Sequence, residues 1–410
     1  MTMHEIEFRR ALASDAEAIL AVMSAAFDRP PGSDRYERDR RTLTQDIDAH
    51  WVLVRSGAIV GALHVFVEEM QVGRAVIAKT DIGEVCIAPH CQGEGLGTVL
   101  MEKVVEQLKS DGYYLSRLGG YRPFYERFGW VPFPRGSVDF VLQGLTSRGG
   151  FTDPVRFLER PEEKAYIRWY EGRRDADACV ALWRAFNEGR TGAAPARSFG
   201  AGSGNRWRVV YEQDGAVRAY VFASPNGSPH TRLSPAVSIS DAACDPKDGQ
   251  PLEAALRYVL RQAAIVGAES VKARLPLDPA LYAIYREASC GFIPTLWQSS
   301  EGGNMMQVLN LRGLLEAIEC ELAARLQAAQ HAPGAVDLCV RSESVRLAWD
   351  GAELALLEGD RGGVHIGQDG LMKIVLGLVP VEQVVQADGA EAALLRAVFP
   401  VQGTATGIWG

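Results

Sequence analysis

Along the first 130 residues the hydrophobic positions alternate between helical and extended periods. Ser14-Asp15 precede Ile19, Leu20, Val22, Met23 and Phe27, a capping residue followed by apolar positions at helical spacing. Trp51 to Val54 and Ala58 to Val67 are β-branched runs joined by Arg55-Ser56-Gly57, which predicts a hairpin. Ile82 to Ile87 predicts a strand ended by Pro89, Leu96 to Leu108 a helix, and Tyr113 to Leu115 a short strand.

The same order recurs roughly 157 to 160 residues later, the signature of a tandem duplication. Asp175 and Asp177 precede Val180, Leu182, Trp183 and Phe186. Trp207 to Tyr211 and Ala216 to Phe222 flank Asp214-Gly215, Val237 to Ile239 leads to Asp245-Pro246, and Leu252 to Leu260 follows as a helix. From Gly302 the pattern changes. Met305 to Leu309, Val336 to Val340, Val345 to Trp349 and Ala352 to Leu357 predict strands, while Leu311 to Leu326, Leu371 to Leu378 and Ala390 to Val398 predict helices. The expected domains are 1–148, 149–300 and 301–410, of the α/β and α+β classes.

Composition fits this layout. At 410 residues the chain exceeds one ordinary core, and 47% hydrophobic with 23% charged residues is a globular balance. No apolar run is long enough to span a bilayer, so a cytoplasmic location and no membrane partner are expected. The net charge of -8 argues against nucleic acid and permits attraction of cationic small molecules. Seven singly scattered cysteines, and seven histidines with no pair at ligand spacing, predict neither disulfides nor a metal.

Candidate chemistry concentrates in Val85 to Thr98, a strand, the glycine-rich turn Gln92-Gly93-Glu94-Gly95-Leu96-Gly97, and a helix start. Glycines let a pyrophosphate approach backbone amides, and the positive end of the helix attracts it. The spacing fits neither the dinucleotide fingerprint nor a P-loop. A glycine turn that merely caps a buried helix is the plainer alternative. The second copy reads Lys247-Asp248-Gly249-Gln250-Pro251-Leu252 at this place, with most of the glycines gone, so no cofactor is expected there.

With Gln92, Gly95 and Gly97 in place, the segment resembles the Gln/Arg-x-x-Gly-x-Gly/Ala signature of the GNAT superfamily of N-acetyltransferases. The resemblance implies acetyl-CoA as co-substrate, with the backbone of Val85, Cys86 and Ile87 pairing with its pantetheine arm. The amides of Gly93, Glu94, Gly95, Leu96, Gly97 and Thr98 would hold its pyrophosphate, and Gly120 and Tyr121 would add to the cofactor wall. Downstream, Gly119 to Trp130 contains Tyr125-Glu126-Arg127-Phe128-Gly129-Trp130, similar to the segment where these enzymes place a tyrosine acid beside the thioester. Tyr125 is the candidate, since a departing thiolate must take a proton. Simple packing of Tyr125 and Phe128 against the sheet is the other reading.

Two such domains followed by a small α+β domain resemble the Enhanced Intracellular Survival (Eis) type of bacterial N-acetyltransferases, whose third domain is similar to sterol carrier proteins. That likeness does not make the third domain a lipid carrier. The resemblance implies transfer of acetyl to a primary amine of a cationic acceptor, such as an aminoglycoside, a polyamine or lysine, and a homo-oligomer, often a hexamer. It also implies a C-terminal carboxylate as base, here that of Gly410, although the family ends in an aromatic residue and this sequence ends Gly407-Ile408-Trp409-Gly410. Glu84, or a water held by backbone, is the substitute base; an ordinary exposed strand residue is the plainer reading of Glu84, and a solvated side chain that of His90. A rival from another class is a non-catalytic sensor that binds acyl-CoA or a lipid without turnover.

Overall fold

The computed structural model describes residues 6–143, 153–226, 236–387 and 389–402, whose strands form two seven-stranded mixed sheets and one of four strands. The first sheet begins with β1 (Ile6–Arg10), β2 (His50–Arg55), β3 (Ala58–Val72) and β4 (Ala75–Ile87), paired antiparallel in sequence order. β5 (Leu115–Tyr121) then joins β4 in parallel. Helix α1 (Ala16–Phe27) buries Ile19, Leu20 and Met23, and α3 (Leu96–Ser110) buries Leu100, Met101 and Val104, all in one core with Leu53 and Leu63 of the sheet. Full burial of such side chains contributes about 1.5–3 kcal/mol each.

Between them lies α2 (Asp34–Gln45), started by Ser33, whose hydroxyl accepts from the Tyr36 amide. Its sequence, DRYERDRRTLTQ, buries only Asp39 and Leu43. A helix with so narrow an apolar stripe leaves no periodic signal, which is why hydrophobic spacing does not predict it.

After β6 (Val131–Pro132) the chain leaves the first sheet. β7 (Arg135–Val141) lies in the second, whose order is β13-β7-β12-β11-β10-β9-β8. Its other members are β8 (Ile167–Trp169), β9 (Arg208–Gln213), β10 (Ala216–Asn226), β11 (Ala236–Cys244), β12 (Ser270–Ala273) and β13 (Gly291–Trp297). The debt is returned by β14 (Gly302–Val308), which inserts between β5 and β6, pairing from Gly302 opposite Tyr121 to Val308 opposite Leu115. Each half therefore lends the other an inner strand next to the sheet edge, and cuts at 148 and 300 do not separate the sheets. The strand expected at Met305 to Leu309 within a third domain belongs to the first sheet.

Within this exchange the tandem order holds: the helix Gly172–Asn187 occupies the place of α1, β9 and β10 that of the β2–β3 hairpin, and the helix Gln250–Ile265 that of α3.

The last unit has the strands Gly334–Val340, Glu343–Trp349, Leu354–Glu358 and Val364–His365 in one sheet. The single helix expected from Leu311 to Leu326 is interrupted at Ile318, giving Leu311–Ala317 and Glu319–Ala328. Met70, Val72 and Ile77 at the tip of the β3–β4 hairpin share a buried cluster with Leu314, Leu322 and Leu371 of this unit. The tip is fixed from two directions, because Thr191 Oγ1 accepts from the Gly73 amide at 2.9 Å and Glu321 Oε2 from the Arg74 amide at 2.9 Å. Among the described residues no helix is long and apolar enough to cross a membrane. All seven cysteines are free, and Cys320 is the exposed one.

Candidate active site

β4 and β5 pair from Lys79 opposite Leu115 only as far as Ile82 opposite Leu118, and there they part. β5 continues along β14, while β4 keeps only β3, with Cys86 opposite Ala62 and Ile87 opposite Gly61. The register explains the split. From Ala62–Cys86 to His64–Gly83, β4 uses one residue more than β3, a bulge that puts Glu84 at φ 53°. A left-handed glutamate costs about 1 kcal/mol and twists the strand away from its neighbour. The freed edge of Val85 to Ile87 is left with main-chain groups facing a cleft.

The glycine turn closes the other side of that cleft. Gly93 and Gly95 have φ of 82° and 84°, and Gly95 caps the first turn of α3. Among the described residues, the amides of Gly93 through Gly97 donate to no partner. Five free amides at the positive end of a helix of 15 residues make a concentration of donors of the kind that suits an anion. Gln92 ties the turn to the strand, its Nε2 donating to the Ile87 carbonyl at 3.1 Å. The Glu94 side chain turns outward to an ion pair with Arg55, whose Nη2 lies 3.0 Å from Cys91 Sγ.

Edge and turn border a cavity of about 340 Å³, whose remaining walls come from Ala26 and Phe27 of α1 and from Phe124 and Tyr125. The last two belong to α4 (Arg122–Tyr125), where Tyr125 packs edge-on to Phe124 and Trp130. Burial, reinforced by the nearby Cys86, pushes the Tyr125 phenol up to about 12, so it keeps its proton at neutral pH. The Cys86 thiol, also raised to about 12 by burial, is no nucleophile.

Of the residues the sequence nominates, the structure gathers Val85, Cys86, Ile87, Gly93, Gly95, Leu96, Gly97, Thr98 and Tyr125 around this cavity. Glu94, Gly120 and Tyr121 stand outside its walls: Gly120 lies in β5 opposite Gly303 under the Tyr125 ring, and Tyr121 is 65% exposed. His90 is exposed. Gly410 lies outside the described residues.

Residues 7–133 match the family described as an acetyltransferase (GNAT) domain. The chain carries a GNAT acetyltransferase domain. None of the curated proteins matches the sequence. Among solved structures, the whole architecture is similar to a GCN5-related N-acetyltransferase from Anabaena variabilis ATCC 29413, at 13% identity over 98% of both chains with a TM-score of 0.67. It is similar also to a GCN5-related N-acetyltransferase from Kribbella flavida, at 17% identity over 98% of this chain and 97% of that one, TM-score 0.66. Eis1 from Mycobacterium abscessus aligns at 14% identity over 96% of both chains, with a TM-score of 0.57. These likenesses establish a shared fold across all three units.

The second copy carries a tyrosine of its own, Tyr285, which follows Ile284 as Tyr125 follows Phe124. Tyr285 is fully buried, with its hydroxyl donating to the Pro276 carbonyl at 2.9 Å. Ile284 lies over Gly249, where an added β-carbon would come within 2.5 Å of its Cδ1. Pro251 in the first helical turn removes an amide. The second copy's counterpart of the site is thus filled and short of donors.

Sequence reasoning passed over a second concavity, of about 470 Å³, on the far side of Glu84, lined by residues of α2 together with Arg29, His50 and His64. Here Arg29 Nη1 bridges Asp39 Oδ2 at 2.7 Å and Glu84 Oε2 at 2.8 Å. His50 and His64 stack with centroids 4.0 Å apart, and burial lowers both imidazoles, His64 to about 4. No local motif announces this cavity, since its walls come from two helices, three strands and the Arg29 loop.

Proposed function

We propose that the protein transfers the acetyl group of acetyl-CoA directly to a primary amine. The observation that carries this reading is the convergence on one cavity of an unpaired strand edge, a nest of free amides and a protonated tyrosine. Acetyl-CoA, when bound, supplies the acyl group and a thiol as leaving group. The amides of Gly93 to Gly97 would hold its pyrophosphate, and the edge of Val85 to Ile87 its pantetheine arm. Tyr125 delivers its proton to the sulfur, a role its high pKa suits because the phenol stays protonated until the thiolate departs. Glu84 adjoins Val85 and lines the second cavity, which supports its carboxylate as the group that takes the proton of an incoming ammonium. The third unit acts as a support, its core closed over the β3–β4 tip.

Release of free thiol from acetyl-CoA in the presence of an amine panel, run alongside a Tyr125→Phe variant, tests this reading. Turnover with one amine class and a fall in kcat of about a hundredfold in the variant, with CoA binding retained, is the expected result. Turnover equal in the two proteins removes Tyr125 from the mechanism.

A further inference from the structure

The cavity beyond Glu84 has two electrical poles. At its inner end, next to the strand residue Val85 that borders the acetyl-CoA cavity, Asp39 and Glu84 share one guanidinium, that of Arg29, so the three together carry a net negative charge. At its outer end α2 presents Arg35 and Arg38, one turn apart on the same helix face. Both are exposed, and neither has an ion-pair or hydrogen-bond partner among the described residues. Uncharged His50 and His64 form the wall between the poles, because burial keeps both imidazoles neutral at pH 7. Among the residues that line the cavity, the carboxylates are Asp39 and Glu84, both already engaged by Arg29.

Resting on the reading of the first cavity as the acetyl-CoA site, we infer that the acceptor is an amine bearing an anionic oxygen group, a carboxylate or a phosphate. Its ammonium end is drawn to the Arg29–Asp39–Glu84 pole beside the thioester, and its anionic end is gripped by Arg35 and Arg38, whose planar donors match either oxyanion. A polycation would place a like charge against the two arginines. This acceptor class differs from the cationic one that the family resemblance implies and the overall charge of -8 permits, because the field at the cavity mouth is set by the nearest side chains and the summed charge of the chain is screened over about 8–10 Å.

The test uses the full chain and a series of unbranched primary amines of equal length ending in carboxylate, phosphate, ammonium or methyl. Initial rates of thiol release are measured for the wild type and for the double variant Arg35→Glu/Arg38→Glu, with CoA binding as the control for folding. The expected result is a kcat/KM for the carboxylate or phosphate amine about tenfold or more above that of the diamine, and a reversal of this order in the double variant. The two anionic arms show which oxyanion is preferred. A diamine that equals or outperforms both, or a double variant with an unchanged order, overturns the inference. Equilibrium binding of the same series to the CoA-loaded protein separates this outcome from failure of the transfer reading. Selective binding of the anionic amines without turnover leaves the acceptor class standing and removes acetyl transfer; indifferent binding removes the acceptor class.

Discussion

The Tyr125 ring packs against Gly120, so close that a β-carbon added to the glycine would stand 2.1 Å from Tyr125 Cε2. A residue outside the cavity thereby sets the position of the proposed acid. Gly120→Ala should push the phenol out of place and lower kcat by about ten- to a hundredfold while leaving KM for acetyl-CoA nearly unchanged. Because both changes act through one hydroxyl, the double variant Gly120→Ala/Tyr125→Phe should be no slower than Tyr125→Phe alone. Multiplying effects in steady-state kinetics would show that Gly120 acts by another route.

Gly95 and Gly249 occupy matching places in the two copies, yet the backbone treats them differently. Gly95 sits at φ 84° with open space around it, whereas Gly249 has φ -82°, ordinary for any residue. Alanine at 95 must therefore strain or rearrange the turn, at a cost of about 1–2 kcal/mol, and misalign the free amides. KM for acetyl-CoA should rise about tenfold in Gly95→Ala, with kcat at saturation preserved. Gly249→Ala needs only the end of the Ile284 side chain to yield, and should alter neither constant. A kinetic effect at 249 would mean that the second copy contributes to cofactor binding.

The contrast between those glycines shows what a sequence can disclose. The turn from Gln92 to Gly97 is legible because its proposed function would reside in consecutive backbone groups, and glycine at set positions is the direct requirement of that geometry. Tyr125 is legible for a similar reason, being embedded in a local segment. The β4 bulge is not: Glu84 is the residue at positive φ, and glutamate gives no hint of it. Nor is the exchange of β7 and β14, since the residues opposite Met305 and Met306 are Leu118 and Arg117, far away along the chain. Strand pairing at that separation follows from which edges remain open once the local elements have formed. The proposed acceptor cavity is hidden for both reasons, being walled by a helix with a narrow apolar stripe and by a bulge without a glycine.

His64 makes stability depend on pH in a definite direction. Its side chain is 1% exposed, stacked on His50, with Nε2 3.1 Å from Asp46 Oδ2, and burial lowers its pKa from 6.5 to about 4. The unfolded chain takes up this proton first as pH falls, so the contribution of neutral His64 is complete above pH 6.5 and is lost on descending toward pH 4. The loss is about 3 kcal/mol. Urea unfolding at pH 7 and at pH 4.5 should show a steeper decline for the wild type than for His64→Gln, whatever the offset between the two at pH 7. Parallel declines would assign the acid sensitivity to other groups.

The reciprocal loan of strands makes a prediction about folding. A fragment ending at residue 148 retains β1 to β7 but lacks β14, leaving β5 with no partner beyond its short parallel pairing to β4, and carries β7 with nothing to pair to. Val138 and Phe140, both fully buried in the intact chain, would then face water. Exposure of two such side chains costs about 3–6 kcal/mol, and the unpaired strands invite association between fragments. Residues 1–148 expressed alone should therefore aggregate, while co-expression with 149–410 should give a soluble complex that binds CoA. A monomeric, CoA-binding 1–148 fragment would show that the first sheet closes without the borrowed strand, and that β14 serves to join the halves instead of completing the site.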